Sequence, residues 1–223
     1  MRITVLSGAG ISAESGLKTF RDSGGLWEGH DVMEVASPQG WQANPELVLD
    51  FYNQRRRQLL TSLPNSAHEA IASLEAKHEV SVVTQNIDDL HERGGSTNVI
   101  HLHGELFKVR CSRFHDDIRV WKEDLLMGQL SSNGHQLRPH IVWFGEDVPL
   151  IPKAAQIVSE CDALIIVGTS MQVYPAAGLL NYAQRHAKVY FVDPNPAISS
   201  GGRTTVIAKP ATEGIPIVVD LLG

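Results

Sequence analysis

The sequence predicts an α/β protein with a doubly wound, mainly parallel sheet and a smaller inserted lobe. Short apolar runs rich in β-branched residues recur without strict alternation, which suits strands buried on both faces. Helix-like segments lie between several of these runs, as in doubly wound folds. Two long segments, 18–63 and 105–139, do not fit this alternation. The predicted strands are residues 3–6, 80–84, 99–102, 141–144, 163–167, 189–192 and 217–219.

Three segments are predicted to be helices. Residues 45–60 follow Asn44, a suitable N-cap, and begin with Pro45, which is favoured at the first helical position. Residues 66–77 place four apolar side chains on one stripe, and residues 176–186 follow the end of a predicted strand. We expect one domain over 1–223, with a Rossmann-like part at about 1–17, 64–104 and 140–223. The segments 18–63 and 105–139 would form the small lobe.

Composition limits the possible functions. Of 223 residues, 43% are apolar and 20% charged, which excludes a disordered chain. The net charge of −6 disfavours general nucleic-acid binding, and no apolar run approaches the length of a membrane span. Two cysteines make no disulfide framework, and the N-terminus is interpreted as a strand and not a signal peptide. We therefore expect a cytoplasmic protein without nucleic-acid or membrane partners. We also expect a monomer, although none of these features bears on the oligomeric state.

A glycine-rich segment, Gly8-Ala9-Gly10-Ile11-Ser12, directly follows the first predicted strand. Glycines there let a backbone approach a pyrophosphate, and the start of the next helix would offer N–H groups. The third glycine of the dinucleotide fingerprint is misplaced, so a plain strand–helix turn is an alternative.

Polar residues also follow other predicted strands. Gly168-Thr169-Ser170 and Asp193-Pro194-Asn195 each end one strand, and an acidic or amide group there suits a ribose hydroxyl. Each segment alone is better explained as an ordinary turn. Because the carboxyl ends of parallel strands share one edge of the sheet, together they favour a nucleotide site.

Two further strand ends carry groups suited to catalysis. Thr84-Gln85-Asn86-Ile87-Asp88-Asp89 offers amides and a carboxylate for a polar ring and a water. In the segment 101–105, alternation puts His101 and His103 on one side, and His103 is a candidate general base. A structural or surface histidine is the alternative.

A metal site is only weakly indicated. Cys111, His115, His135 and His140 include ligand types that tetrahedral zinc accepts, but their spacing matches no strong signature.

Taken together, these motifs make the chain resemble the sirtuin family of NAD-dependent protein lysine deacylases, in the family order and over nearly the whole chain. It looks closest to bacterial members of the desuccinylase- and demalonylase-type subgroup. The matching segments are Gly8–Ser12 with Ala13-Glu14-Ser15-Gly16, Thr19-Phe20-Arg21, Gly25-Leu26-Trp27, residues 84–88, His103-Gly104-Glu105, Leu137-Arg138-Pro139, Val142-Trp143-Phe144-Gly145-Glu146 and Gly168-Thr169-Ser170.

The resemblance implies site residues by position. His103 would be the general base, with Asn86 as a second catalytic residue, and the segment from Val142 to Glu146 would pair with the substrate as an added strand. The implied NAD-binding residues are Gly8, Ala9, Gly10, Ser12, Phe20, Arg21, Trp27, Gln85, Asn86, Ile87, Asp88, Gly168, Thr169, Ser170, Asp193, Pro194, Asn195 and Ala211. The implied substrate-binding residues are Tyr52, Arg55, Val142, Phe144, Gly145 and Glu146.

One helix narrows the substrate class. Tyr52 and Arg55 lie three residues apart, on one helical face. In the subgroup that removes acidic acyl groups, this pair reads the acyl carboxylate, and a guanidinium fork with a phenol suits that anion. A solvated basic face with a core tyrosine is the alternative.

The chain departs from the family in its cysteines. Members commonly carry two Cys-x-x-Cys pairs in the small lobe, but here Cys111 stands alone and Asn133 takes the place of the last cysteine. His140 is not at a ligand position. We expect NAD as co-substrate and a small lobe without zinc.

The implied reaction removes succinyl, malonyl or acetyl groups from lysine and gives nicotinamide, O-acyl-ADP-ribose and free lysine. An NAD hydrolase or ADP-ribosyltransferase on the same fold is the main alternative. A non-catalytic nucleotide-binding module and a dehydrogenase explain fewer of the motifs.

Overall fold

The computed structural model of the protein describes residues 1–18, 26, 27, 29–114, 117–171, 173–196 and 198–223. Two 3₁₀ helices, Leu74–Ala76 and Ala176–Tyr182, supplement the strands and α-helices. The strands are β1 (Arg2–Ser7), β2 (Leu26–Trp27), β3 (His30–Asp31), β4 (Glu79–Thr84), β5 (Val99–His101), β6 (Gly104–Cys111), β7 (Arg119–Val120), β8 (Leu137–Ile141), β9 (Ala163–Val167), β10 (Lys188–Val192) and β11 (Thr204–Ile207). The helices are α1 (Gly10–Ala13), α2 (Val32–Val35), α3 (Pro38–Ala43), α4 (Pro45–Thr61), α5 (Ser66–Ser73), α6 (Leu90–Arg93), α7 (Ile151–Ser159) and α8 (Ala211–Leu222).

Six parallel strands form the central sheet, in the order β11-β10-β9-β1-β4-β5. Strand β1 lies near the middle of the sheet. Strands β4 and β5 follow on one side of β1, and β9, β10 and β11 lie on its other side. The strand order therefore reverses between β1 and β9. In open α/β sheets a ligand crevice forms at the carboxyl ends of the strands at such a reversal. The predicted α/β, doubly wound architecture is confirmed.

Both faces of the sheet are buried, as the non-alternating apolar runs predicted. On one face, Val5 and Ile165 pack with α5 and α8 through Ile71 and Ile215. On the other face, Leu6 and Ile166 pack with α7 and the 3₁₀ helix through Val158 and Leu179. Successive strand side chains point to opposite faces, so a strand covered on both sides is apolar throughout.

A second, antiparallel sheet of three strands has the order β7-β6-β8, and β2 pairs with β3. Helix α4 packs on this part of the chain, with Val48 and Phe51 in the same cluster as Leu106 and Ile141. The fully buried Arg56 donates from Nε to the carbonyl of Leu106 at 3.2 Å. This packing fixes the orientation of α4 relative to β6.

Three predicted elements are wrong in type or extent. Residues 217–219 lie inside α8, because a three-residue apolar run does not distinguish a strand from a helix face. The predicted strand 141–144 ends at Ile141, where β8 ends, and β8 belongs to the antiparallel sheet. Residues 176–186 form only the shorter 3₁₀ helix. Strands β6 and β11, β8 before Ile141 and helix α7 were not predicted, and β2 and β3 lie in a segment expected to hold no strand.

None of the helices in the described ranges is long and apolar enough to cross a membrane.

Two buried histidines, His68 and His91, lie at the end of β1. Their ring centroids are 5.0 Å apart, and Nε2 of His91 lies 2.8 Å from Oγ of Ser7. Nε2 of His68 and Nδ1 of His91 have no hydrogen-bond partner among the described residues. Burial lowers the pKa of His68 to about 4, and burial together with the neighbouring histidines lowers the pKa of His91 well below its usual value. Both rings are therefore neutral in the folded protein near neutral pH.

These histidines should make the fold sensitive to acid. As the pH falls below about 6.5, the unfolded chain takes up protons that the folded chain does not, so stability decreases with falling pH. We expect His68→Gln to lose less stability than the wild type between about pH 7 and pH 5, by up to about 2 kcal/mol. Glutamine preserves the capping box that His68 forms with Asn65. Urea unfolding at both pH values measures this difference.

The exposed His186→Gln is the matched control and should lose as much stability as the wild type. An equal loss in His68→Gln would contradict the assignment of the acid sensitivity to this ring.

Candidate active site

A cavity of about 680 Å³ opens at the carboxyl ends of β1, β4, β9 and β10 and extends to α4. This volume is typical of a cofactor or substrate site. Phe20 and Arg21 lie outside the described residues. The predicted site residues that line the cavity are Gly8, Ala9, Gly10, Ser12, Trp27, Tyr52, Arg55, Gln85, Asn86, Ile87, Asp88, His103, Val142, Phe144, Gly145, Glu146, Gly168, Thr169, Ser170, Asp193, Pro194, Asn195 and Ala211.

Glycines bring the loops after β1 and β9 into close contact. The Gly10 amide donates to the Gly168 carbonyl at 2.8 Å. A Cβ on Gly10 would lie 2.7 Å from Cα of Gly168. Gly168 has φ +62°, and a Cβ there would lie 2.3 Å from the Ile11 nitrogen. These glycines are therefore required by contact between the loops themselves, a reason that the sequence did not suggest.

The expected free amides after β1 are mostly occupied within the chain. The N–H groups of Gly8, Gly10, Ile11 and Ser12 donate to Val167, Gly168, Gly8 and Ala9 carbonyls, respectively. Helix α1 is a single turn and so has little macrodipole. The expectation that this helix start offers free amides to a pyrophosphate is corrected here: loop packing uses them.

Polar groups suited to a dinucleotide remain along the strand ends. Gln85 donates to Oγ1 of Thr169 at 3.2 Å, which links the end of β4 to the end of β9. Asp193 follows β10 and accepts from the Asn195 amide at 2.8 Å, so its carboxylate is oriented at the cavity wall. A carboxylate at this position suits ribose hydroxyls. The cavity volume and this donor and acceptor set fit NAD.

Asn86, Ser12 and Asp88 form a buried hydrogen-bond network. The Asn86 amide donates to the Gly8 carbonyl and to Oγ of Ser12, each at 3.2 Å, and Ser12 donates to Asp88 at 3.1 Å. Burial raises the pKa of Asp88 to about 6, although bonds from the Leu90 amide and Ser12 oppose this rise. Burial therefore makes Asp88 easier to protonate than an exposed aspartate.

His103 lies in the turn after β5 with one nitrogen engaged. Its Nδ1 lies 3.0 Å from the Gln85 carbonyl, which can only accept, so this nitrogen carries the proton. In the neutral ring, Nε2 then has a lone pair. Burial lowers the pKa of His103, so the ring is neutral and able to take a proton at neutral pH.

His101 has a different role from His103, although sequence alternation grouped the two. Its Nδ1 lies 3.0 Å from the Asn86 carbonyl, and its Nε2 lies 2.7 Å from Glu92. Burial alone would lower the pKa of His101, but Glu92 and the Asn86 carbonyl outweigh burial and raise it. His101 therefore holds the Asn86 backbone. This positioning role depends on Glu92, which the fold brings beside the His101 ring.

Tyr52 and Arg55 project from α4 toward the cavity. The Tyr52 hydroxyl accepts from Nε1 of Trp143 at 3.1 Å, and its side chain is fully buried. The half-buried Arg55 donates to the Phe51 carbonyl at 2.8 Å, and its guanidinium carbon lies 3.7 Å from the Phe51 ring centroid. Packing and this hydrogen bond thus restrict both side chains.

The segment from Val142 to Glu146 is not a strand. The Val142 amide donates to the His103 carbonyl and the Phe144 amide to the Ala36 carbonyl, each at 2.9 Å. The Trp143 amide donates to the Glu146 carboxylate at 2.8 Å. These three N–H groups are therefore occupied within the chain. The Glu146 carboxylate also accepts from Arg138 at 2.7 Å.

The segment 105–139, which we expect to lack zinc, contains a polar network. Asp117 accepts from Arg119 through two bonds of 2.6 Å and from the Ser132 amide at 2.7 Å. Ser131 lies 3.4 Å from the buried Cys111 sulfur. Within the described residues, no three His, Cys, Asp or Glu side chains are placed to hold a metal ion, and His115 lies outside them.

Comparisons with known proteins agree with this geometry. The Sir2 family model matches residues 8–175. An NAD-dependent protein deacylase of Helicobacter pylori is 58% identical over 192 residues, 86% of this chain and 82% of the relative. Another from Bacteroides thetaiotaomicron is 49% identical over 227 residues, 99% of this chain and 97% of the relative.

Solved structures agree as well. A Sir2 homologue mutant in complex with ADP-ribose superimposes with a TM-score of 0.89 at 35% identity, over 98% of this chain and 90% of that chain. A Sir2 homologue in complex with NAD gives 0.87 at 36% identity, over 99% of this chain and 89% of that chain. The resemblance found in the motifs is confirmed, and the chain belongs to the Sir2 family.

Proposed function

We propose that this chain is an NAD-dependent protein lysine deacylase that prefers acidic acyl groups. The deacylase activity follows from the family and from relatives of that activity at up to 58% identity. One observation carries the acyl preference: the cavity that contains His103 and the strand-end polar groups also contains Tyr52 and Arg55. Those two side chains form a site that is basic and rich in hydrogen-bond donors.

The strand ends would hold NAD. Asp193 and Asn195 would bind the adenosine half, while Gln85, Asn86 and Asp88 would surround the nicotinamide ribose. When bound, NAD supplies the ribose carbon whose bond to nicotinamide breaks and the hydroxyl that receives the acyl group. The bonds from Asn86 to Gly8 and Ser12 keep this part of the wall ordered before binding.

His103 would act as the general base. The Gln85 carbonyl holds its Nδ1, so Nε2 is the atom that takes a proton from a ribose hydroxyl. Because burial lowers the pKa of His103, the neutral form needed for this step predominates at neutral pH.

Tyr52 and Arg55 would read the far end of the acyl chain. A guanidinium offers forked donors to a carboxylate, and a phenol adds a third donor. An acetyl group has no acceptor at that position, so these donors would discriminate between the two classes of substrate.

A smaller lobe and a reducing compartment would form the setting of this site. Segments 18–63 and 105–139 would form a smaller lobe that contributes α4 to the cavity. The two cysteines are buried and are not joined by a disulfide, which suits the reducing cytoplasm. We propose that the chain acts there as a monomer on protein substrates, without zinc.

Rates of nicotinamide release from NAD, measured side by side with acetyl-, malonyl- and succinyl-lysine peptides of one sequence, test this function. We expect the acidic acyl peptides to have a kcat/KM at least about tenfold above the acetyl peptide, since each added charge-assisted hydrogen bond contributes at least this factor. The same peptide with unmodified lysine is the control. A faster acetyl reaction would contradict the acyl preference, and equal release without any acyl peptide would indicate an NAD hydrolase.

A further inference from the structure

We infer that Trp143 is a specificity-determining positioning residue, which holds the Tyr52 hydroxyl as a hydrogen-bond donor toward the acyl group. This inference rests on the proposed preference for acidic acyl groups and adds a residue to the machinery that reads them.

The contact between the two side chains has a fixed direction. Nε1 of Trp143 lies 3.1 Å from Oη of Tyr52. An indole N–H can only donate, so the phenol oxygen must be the acceptor in this bond. The hydroxyl hydrogen is then left to point at another acceptor. Trp143 is 2% exposed and Tyr52 fully buried, so water does not compete for this bond.

Trp143 is held on three sides. The guanidinium carbon of Arg138 lies 3.2 Å from its ring centroid, and the Trp41 ring lies 5.7 Å away on centroids. The Trp143 backbone amide donates to the Glu146 carboxylate, which also accepts from Arg138. One carboxylate therefore fixes both the backbone of Trp143 and the cation stacked on its ring. The indole has little freedom to turn away from Tyr52.

The protonation state of Tyr52 has the same consequence. Burial raises the pKa of the Tyr52 hydroxyl, so the group stays protonated at any working pH. The bond from Trp143 and the cations Arg138 and Arg55 lower this pKa, but burial outweighs them. Tyr52 lines the cavity but has no exposed surface in this structure, so an acyl carboxylate reaches its hydroxyl hydrogen when the bound acyl chain displaces the wall beside it. An acyl carboxylate can accept that hydrogen, and an acetyl methyl group cannot.

Trp143→Phe tests the inference, because phenylalanine keeps an aromatic ring under Arg138 and removes only the indole donor. We expect the ratio of kcat/KM for succinyl over acetyl peptide to fall about tenfold, the usual effect of a buried hydrogen bond to a charged group. The loss should appear in KM for the succinyl peptide and not in kcat, since the bond exists in both the bound and the reacting state.

Trp121→Phe is the matched control. It also removes an indole N–H, from a bond of 3.4 Å to the Asp124 carbonyl, away from the cavity-lining residues. We expect it to leave the succinyl-to-acetyl ratio unchanged. A double variant, Trp143→Phe with Tyr52→Phe, should have the same ratio as Tyr52→Phe alone, because Trp143 acts through that hydroxyl.

The outcomes separate this inference from the proposed function. If Arg55→Met removes the acidic preference and Trp143→Phe does not, the inference is wrong and the proposed function stands. If neither variant changes the ratio, both the inference and the assignment of the acyl preference to Tyr52 and Arg55 are wrong. If Trp143→Phe does not fold, Tyr52→Phe examines the same hydroxyl, and an unchanged succinyl rate in that variant would overturn the inference.

Discussion

Replacing His103 with glutamine is expected to lower kcat for deacylation by about 10²–10⁴-fold, the usual contribution of a general base. Glutamine keeps a polar side chain near the Gln85 carbonyl but has no nitrogen that takes a proton. NAD binding, measured by isothermal titration calorimetry, should persist, since His103 is not among the strand-end groups proposed to bind the adenosine half. The deacylation rate is measured on the peptide that the wild type processes fastest.

His186→Gln makes the same change at an exposed site and should leave kcat unaltered. The pH profile gives a second measure, because the wild-type kcat/KM should fall on the acid side as the base becomes protonated. Burial lowers the pKa of His103, so this fall should begin below the usual range for histidine. A kcat for His103→Gln within tenfold of the wild type would refute the assigned base.

Replacing Arg55 with methionine is expected to lower kcat/KM for the succinyl peptide by about 10²-fold and to affect the acetyl peptide much less. Hydrogen bonds to charged groups contribute about 1.5–3 kcal/mol each, and every 1.4 kcal/mol is tenfold. Methionine has a similar length and can still pack on the Phe51 ring that lies beside the guanidinium. The change therefore removes the charge while most of the packing remains.

Arg57→Met is the control on the same helix. Arg57 is exposed and pairs with Asp124 at 2.8 Å, so its loss removes one positive charge from α4 without altering the cavity lining. Exposed ion pairs contribute little to stability, so this variant should fold normally. If both arginine variants reduce all three acyl activities equally, Arg55 does not read the acyl carboxylate.

Sequence patterns predicted the parts of the site that lie at strand ends. Gly168-Thr169-Ser170 and Asp193-Pro194-Asn195 follow strands whose apolar runs were clear, and parallel strands deliver their carboxyl ends to one edge. The order of motifs along the chain was sufficient to suggest the family, which the comparisons confirm. The spacing of three residues was likewise sufficient to place Tyr52 and Arg55 on one face of a helix.

Contacts between distant segments could not be predicted in this way. The segment from Val142 to Glu146 resembles a strand by composition, but its amides bond to His103, Ala36 and Glu146, which only the folded chain brings near. The apolar run at 217–219 is a helix face because α8 packs against the sheet through Ile215 and Val218. In both cases a local pattern allowed two structures, and long-range packing selected one.

By itself, the sequence determined the parallel sheet, its polar strand ends and the set of groups available for chemistry, because these depend on hydrophobic periodicity and residue type. Tertiary structure alone decided how those groups are oriented: which nitrogen of His103 carries the proton, that His101 pairs with Glu92, and that Trp143 directs the Tyr52 hydroxyl. The physical reason is that hydrogen-bond direction and pKa depend on neighbours up to 91 residues away along the chain and on burial, neither of which a local pattern contains.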